Sequence, residues 1–134
     1  MIAQEHRFHG YNSLRFVFNH GQSVRNPQMT LRYKLNNRQK SWRVSVIVSR
    51  KVSKSAVVRN RIRRRIYEVI RLQQNAIKSP YDIALIIFSP LLAELSNLKL
   101  EALLMDLFYQ AGIIKQTDIK KQPAKRAIVN PKEK

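Results

Sequence analysis

Hydrophobic residues recur along the chain with two different periods. Leu14, Val17 and Phe18 fall at i, i+3 and i+4, which predicts a short helix over residues 11–20, closed by Gly21 in a left-handed conformation. Residues 29–35 alternate instead, with Met29, Leu31, Tyr33 and Leu35 on one side and Arg32 and Lys34 on the other. Residues 42–49 alternate again and group Trp42, Val44, Val46 and Val48. Both stretches read as strands, the polar residues 36–40 between them read as a turn, and antiparallel pairing of the two is the economical arrangement. The helical period returns over residues 56–74, where Val58, Ile62, Ile66, Val69 and Ile70 form one stripe behind a basic loop, 50–55, whose serines can cap it. Residues 81–88 supply another strand, its apolar centre continuous enough for burial on both faces. A last helix starts at Ser96 as N-cap, turns Leu98, Leu103, Leu104, Leu107, Phe108 and Ala111 inward, and ends near Gly112. From Lys115 the period is lost. The expected layout is one α+β domain over residues 1–114, with helices packed on a small sheet, and a flexible basic tail over 115–134.

Composition narrows the partner. Lys and Arg total 26 against 8 Asp and Glu, a formal charge of +18 on 134 residues. A polyanion is the natural counterpart of such a surplus, nucleic acid before anionic membrane. The hydrophobic fraction of 44% is enough for a real core. With no cysteine, disulfides and thiolate metal sites are excluded. Residues 1–10 carry Glu5, His6, Arg7 and His9 rather than an apolar run, so no secretory signal is expected, and the apolar stretch 83–92 is too short to span a membrane. A soluble, cytoplasmic protein is expected.

Charge concentrates on the central helix. At 100° per residue, Arg59, Asn60, Arg63, Arg64, Tyr67 and Arg71 are expected opposite the apolar stripe, with Arg61 and Arg65 at its border. Guanidinium groups donate bidentately to phosphate and stay charged, Asn60 adds a donor and acceptor for a ribose or base edge, and the helix N-terminus offers amides to anions. Solvated helix faces usually mix signs, yet between Arg50 and Arg71 only Glu68 is acidic. Nucleic-acid contact therefore outweighs plain solvation. Strands on both sides argue against a DNA-reading helix-turn-helix and favour RNA. Phe18 and Tyr33 are candidates for stacking on bases, though composition alone would place either in the core.

Catalytic chemistry is hard to find. The acidic residues Glu5, Glu68, Asp82, Glu94, Glu101, Asp106, Asp118 and Glu133 form no close cluster of the two-metal kind. His6 and His9 could ligate a metal, but surface histidines are the commoner explanation. Three glycines provide no phosphate loop.

The segment 49–71, SRKVSKSAVVRNRIRRRIYEVIR, closely resembles the signature of the bacterial ribonuclease P protein family. The likeness continues outside it: LRFVFNHGQSV (14–24) resembles the family's first helix and following turn, while Tyr81-Asp82-Ile83 and Ala93-Glu94-Leu95-Ser96 fall where the family has its last strand and the lead into its final helix. It covers residues 6–112 in matching order. The resemblance implies an αβββαβα two-layer sandwich like the second domain of ribosomal protein S5, with the arginine helix in a left-handed βαβ crossover. It also implies the non-catalytic subunit of an endoribonuclease. There the RNA subunit, with magnesium held through RNA and no cofactor on the protein alone, removes the 5′ leader of precursor tRNA.

By the same resemblance, the partners are ribonuclease P RNA and precursor tRNA, with neither membrane nor DNA, and the protein is a monomer in the holoenzyme. Arg59, Asn60, Arg61, Arg63 and Arg64 would contact the RNA subunit or the substrate near the cleavage site, with Arg50, Lys51 and Lys54 beside them and Arg71 further along the helix. Tyr67 occupies a position more often basic. Phe18 would line a cleft for the leader. Leu14 stands where the family often has a second aromatic, and Arg32 falls near another aromatic position with Tyr33 beside it. A ribosomal or other structural RNA-binding protein is the alternative, and a free-standing nuclease is disfavoured by the missing acidic cluster.

Overall fold

The computed structural model describes residues 6, 7 and 11–114. The basic tail expected over 115–134 and His9 lie outside the described residues. The element order is α1 (Tyr11–His20), β1 (Gln22–Arg25), β2 (Met29–Leu35), β3 (Arg43–Val48), α2 (Ala56–Leu72), β4 (Tyr81–Ile87) and α3 (Asn97–Ala111), with short 3-10 turns at Gln74–Ala76 and Pro90–Ala93. The α+β class and the αβββαβα order are those the resemblance implies; alternation alone marks β2, β3 and β4, and β1 adds a short strand where the sequence reads as the turn after the first helix.

Strand pairing differs from the expected hairpin. The sheet order is β1-β2-β4-β3, so β4 lies between β2 and β3, antiparallel to the first and parallel to the second. The cause is visible in the strands themselves. Ile83, Ala84 and Leu85 are fully buried, and a strand apolar on both faces gains most from a central position with neighbours on each side. Parallel neighbours cannot be joined by a tight turn, and α2 provides the crossover between β3 and β4.

Alternation along β4 divides the protein into layers. Ile83, Leu85 and Ile87 face a large core shared with Met29, Leu31, Val44, Val46 and Val48 of the sheet, Ile62, Ile66 and Ile70 of α2, and Leu100, Leu104, Leu107 and Phe108 of α3. Ala84 faces the other way, where Val17 and Leu14 of α1 pack on it together with Ile47. So α2 and α3 cover one face, and α1 covers part of the opposite one. Each fully buried Leu, Ile or Phe contributes about 1.5–3 kcal/mol of transfer free energy, which makes the α2–α3 side the main source of stability.

Helix ends follow the expected chemistry with one exception. The Ser55 hydroxyl accepts the Val58 N–H and the Ser96 hydroxyl accepts the Lys99 N–H, each at 3.2 Å. Gly112, at φ +77°, terminates α3, and Ile113 and Ile114 then turn back into the core. Leu98 is 60% exposed instead of inward: it sits in the first turn of α3, and Leu100 and Met105 take the buried positions. Gly21 is the exception, since Gly112 holds the positive φ among the described glycines. Its role is close approach. A Cβ on Gly21 would lie 2.4 Å from the Val17 carbonyl oxygen and 2.7 Å from that of Tyr33, both backbone atoms. Gly21→Ala is therefore expected to lower the urea-unfolding free energy by about 1–3 kcal/mol, as other overpacked sites do.

Candidate nucleic-acid interface

The basic loop is held in shape by its own serines. Ser49 Oγ accepts the Lys51 N–H at 3.2 Å, the Val52 N–H donates to the Ser49 carbonyl at 3.1 Å, and Ser53 Oγ accepts the Ser55 N–H at 3.2 Å. Val52 packs against the core and anchors the loop from beneath. Arg50, Lys51 and Lys54 are left exposed, continuous in sequence with the start of α2. On the helix itself Asn60, Arg61 and Arg64 are exposed. These six side chains form the outward cationic strip.

The other helix positions assigned to it are occupied differently. Arg59 and Arg63 stand three and seven residues from stripe isoleucines (Ile62 and Ile66, Ile66 and Ile70), so they flank the stripe instead of opposing it. Arg59 donates to the Ser53 carbonyl at 2.9 Å and fastens the loop to the helix. Arg63 donates to the Val48 carbonyl at 3.3 Å and to Asn60 Oδ1 at 2.6 Å, which orients the Asn60 amide. Arg61, expected at the border, is exposed. Arg65 is structural: it donates to the carbonyls of Leu92 (2.7 Å) and Leu95 and to Asn97 Oδ1. Arg71 is paired with Glu68, its Nε 3.0 Å and its Nη2 2.5 Å from the carboxylate oxygens. That pairing lowers the Glu68 pKa and raises that of Arg71, chiefly through the hydrogen bonds between them. At the helix N-terminus the Val58 amide is already taken by Ser55, so that end is partly capped before any anion arrives.

Tyr67 is a core residue, 8% exposed, not an RNA-facing one. Its long side chain reaches under edge strand β3, where its hydroxyl oxygen accepts the Val46 N–H at 3.3 Å. Burial pushes its pKa above the ordinary 10.0, against the opposing pull of the Val46 hydrogen bond and the charges of Arg7 and Arg63. A raised folded-state pKa means stability that is complete below the unfolded pKa and lost as pH rises through the folded one. In thermal melts from pH 8 to 11, the wild type's advantage over Tyr67→Phe should therefore shrink above about pH 10. At pH 8 the variant should cost about 1–3 kcal/mol, because the Val46 N–H loses its acceptor in a buried place.

The proposed cleft residues separate onto two faces. Leu14 packs beneath α1 with Val17, and Phe18, one turn on, is 37% exposed at the margin of α1. Arg32 shares the α1 face of β2, but its guanidinium donates to the carbonyls of Phe18 (2.5 Å) and Gly21 (3.3 Å) and so closes the C-terminus of α1. Tyr33 faces the opposite layer, edge-on to Tyr81 with its hydroxyl donating to Gln22, so it cannot line a cleft under α1. Strict alternation on β2 requires this: Arg32 and Tyr33 are neighbours and must point to opposite faces. Partial burial, then Tyr81, raise the Tyr33 pKa. Sequence reasoning missed the exposed Arg15 and Phe16 on α1; their 100° and 200° displacement from Leu14 was the available signal. Phe16 leans on His20, ring centroids 5.2 Å apart.

Comparison with known proteins gives a consistent result. A family model described as Ribonuclease P matches residues 2–112. The ribonuclease P protein component of Roseiflexus castenholzii is 41% identical over 78 residues, which is 58% of this chain and 63% of that relative's length. That of Streptococcus agalactiae is 33% identical over 113 residues, covering 84% of this chain and all of the relative. The solved ribonuclease P protein of Staphylococcus aureus superposes with a TM-score of 0.73 at 24% identity, over 82% of this chain and 98% of that one. The Thermotoga maritima protein gives 0.69 at 21% identity, over 78% and 96%. At those identities the two structures speak for the fold.

Proposed function

The chain belongs to the ribonuclease P protein family, and from that premise we propose that it is the protein subunit of a cytoplasmic ribonuclease P, binding the RNA subunit and the 5′ leader of precursor tRNA. The observation that carries the reading is the outward strip of Arg50, Lys51, Lys54, Asn60, Arg61 and Arg64. Its exposed cations match a phosphate backbone, and Asn60, held by Arg63, can read a hydroxyl or base edge. The loop and helix are fixed by Arg59, Arg63 and the serine turns before ligand arrives, so little ordering entropy opposes binding. Phe18, at the edge of α1, offers a partly exposed ring to an unpaired leader base.

Hydrolysis, in this reading, is carried by the RNA, which also holds the magnesium. Among the described residues no group of three or more His, Cys, Asp or Glu is placed to hold an ion, so no step is assigned to a protein-held metal. The protein's share is positioning: it neutralises phosphate charge and aligns the leader. A ribosomal or general structural role is not favoured, because the matching family is that of ribonuclease P. Binding of a precursor tRNA with its leader, compared with the mature tRNA, tests the assignment. Tighter binding of the precursor by the protein–RNA complex than by RNA alone is expected. Equal enhancement for the mature tRNA would contradict a leader contact.

A further inference from the structure

A second cationic feature lies away from the strip. Where β3 begins, a cavity of about 320 Å³ opens between the β2–β3 connection and the residues that lead from α2 into β4. Its polar lining includes His6, Lys40, Asn75, Lys78 and Ser79, over a floor of Trp42 and Ile77. Both lysines are exposed, and no acidic residue is among those lining the cavity. The cavity between α2 and α3 is different, since Glu68 and Glu101 stand beside its Arg64 and Arg65. Two ammonium groups with hydroxyl and amide donors around a concave floor suit a compact polyoxyanion.

The floor is built rigidly. His6 stacks on Trp42 with ring centroids 3.9 Å apart and 8° between planes. Its Nδ1 lies 2.8 Å from the Trp42 carbonyl, which can only accept, so that nitrogen carries the proton. The 3-10 turn Gln74–Ala76 sets the opposite wall, with the Ala76 and Ile77 amides donating back to Gln73 and Gln74.

We propose that this cavity is a second anion site that takes a phosphate group between Lys40 and Lys78. Its place at the start of β3, with the basic loop following that strand's end, puts the two cationic sites about 20 Å apart along the sheet edge, at roughly 3.3 Å per residue. An RNA backbone running along that edge reaches both; a free phosphate fills this one alone.

Trp42 is the chain's single tryptophan, so its emission reports directly on this cavity. Full-length protein is titrated with inorganic phosphate and, separately, with single-stranded oligouridylate. A saturable Trp42 response to both, with oligouridylate effective at far lower concentration, identifies RNA backbone as the source; a response to phosphate alone identifies free phosphate. In the double variant Lys40→Ala/Lys78→Ala the response to either ligand should need at least tenfold more ligand. The salt slope of oligouridylate binding should fall by about 0.7, the value for one phosphate neutralised on a single strand. Arg61→Ala/Arg64→Ala should leave the phosphate response unchanged. A silent Trp42 with both ligands, or an unaltered response in the lysine variant while its melting temperature matches wild type, overturns the proposal.

Discussion

Asp82→Ala is expected to lower the unfolding free energy by about 3 kcal/mol, the low end of the range for breaking a buried ion pair from one side. Asp82 is the second residue of β4, its carboxylate 1% exposed, bidentate to Arg43 at 2.8 and 2.9 Å and accepting from Asn36 Nδ2 at 2.8 Å. Three segments meet at this carboxylate: β3 through Arg43, the connection after β2 through Asn36, and β4 itself. Removing it leaves a guanidinium whose side chain is mostly buried but still 19% exposed, and the water that reaches it keeps the cost from the upper end. Asp82→Asn should lose less, since one oxygen still accepts. Urea unfolding of the three proteins at neutral pH checks this, and a loss below about 1 kcal/mol for the alanine variant would show that the pair is dispensable.

The second large effect belongs to function. Arg61→Ala/Arg64→Ala is expected to weaken binding to the RNA subunit by about 2–6 kcal/mol, taking about 1–3 kcal/mol for each arginine contact to nucleic acid. Its stability should change by less than about 0.5 kcal/mol, because both side chains are exposed and neither is hydrogen-bonded to another of the described residues. Arg59→Ala should behave otherwise. Its bond to the Ser53 carbonyl ties loop to helix, so binding and melting temperature are both expected to fall. Filter binding across a salt series, paired with thermal melts, separates the two classes: loss of outward arginines flattens the salt dependence without moving the melt.

The contrast between Arg59 and Arg64 shows where sequence reasoning reached its limit. Period and capping residues were sufficient for the helices, since Ser55, Ser96 and Gly112 act through local geometry that the sequence carries. The central position of β4 was latent in its two-faced apolar run, but the β2–β4 pairing is a long-range choice that local turn chemistry does not encode. The basic loop and helix were legible as a site because charge without countercharge is rare. Which arginines face outward was not, because a guanidinium on a long stem beside an apolar stripe can turn inward to a carbonyl, as Arg59, Arg63 and Arg65 do. Tyr67 misled for a related reason: its angular position is off the stripe, yet its length lets it reach the edge of β3. At Arg32 and Tyr33 the alternation itself held the answer, since adjacent residues of one strand cannot share a cleft.

The central claim, that this chain assists tRNA 5′ maturation through its outward cationic strip, is tested most directly by cleavage. A precursor tRNA with its leader is incubated at low magnesium with a ribonuclease P RNA from the same organism, alone, with the wild-type protein, or with Arg61→Ala/Arg64→Ala. Stimulation by the wild type and its loss in the folded double variant are the expected results. No stimulation by the wild type over a competent RNA alone, or cleavage by the protein without RNA, would contradict the account.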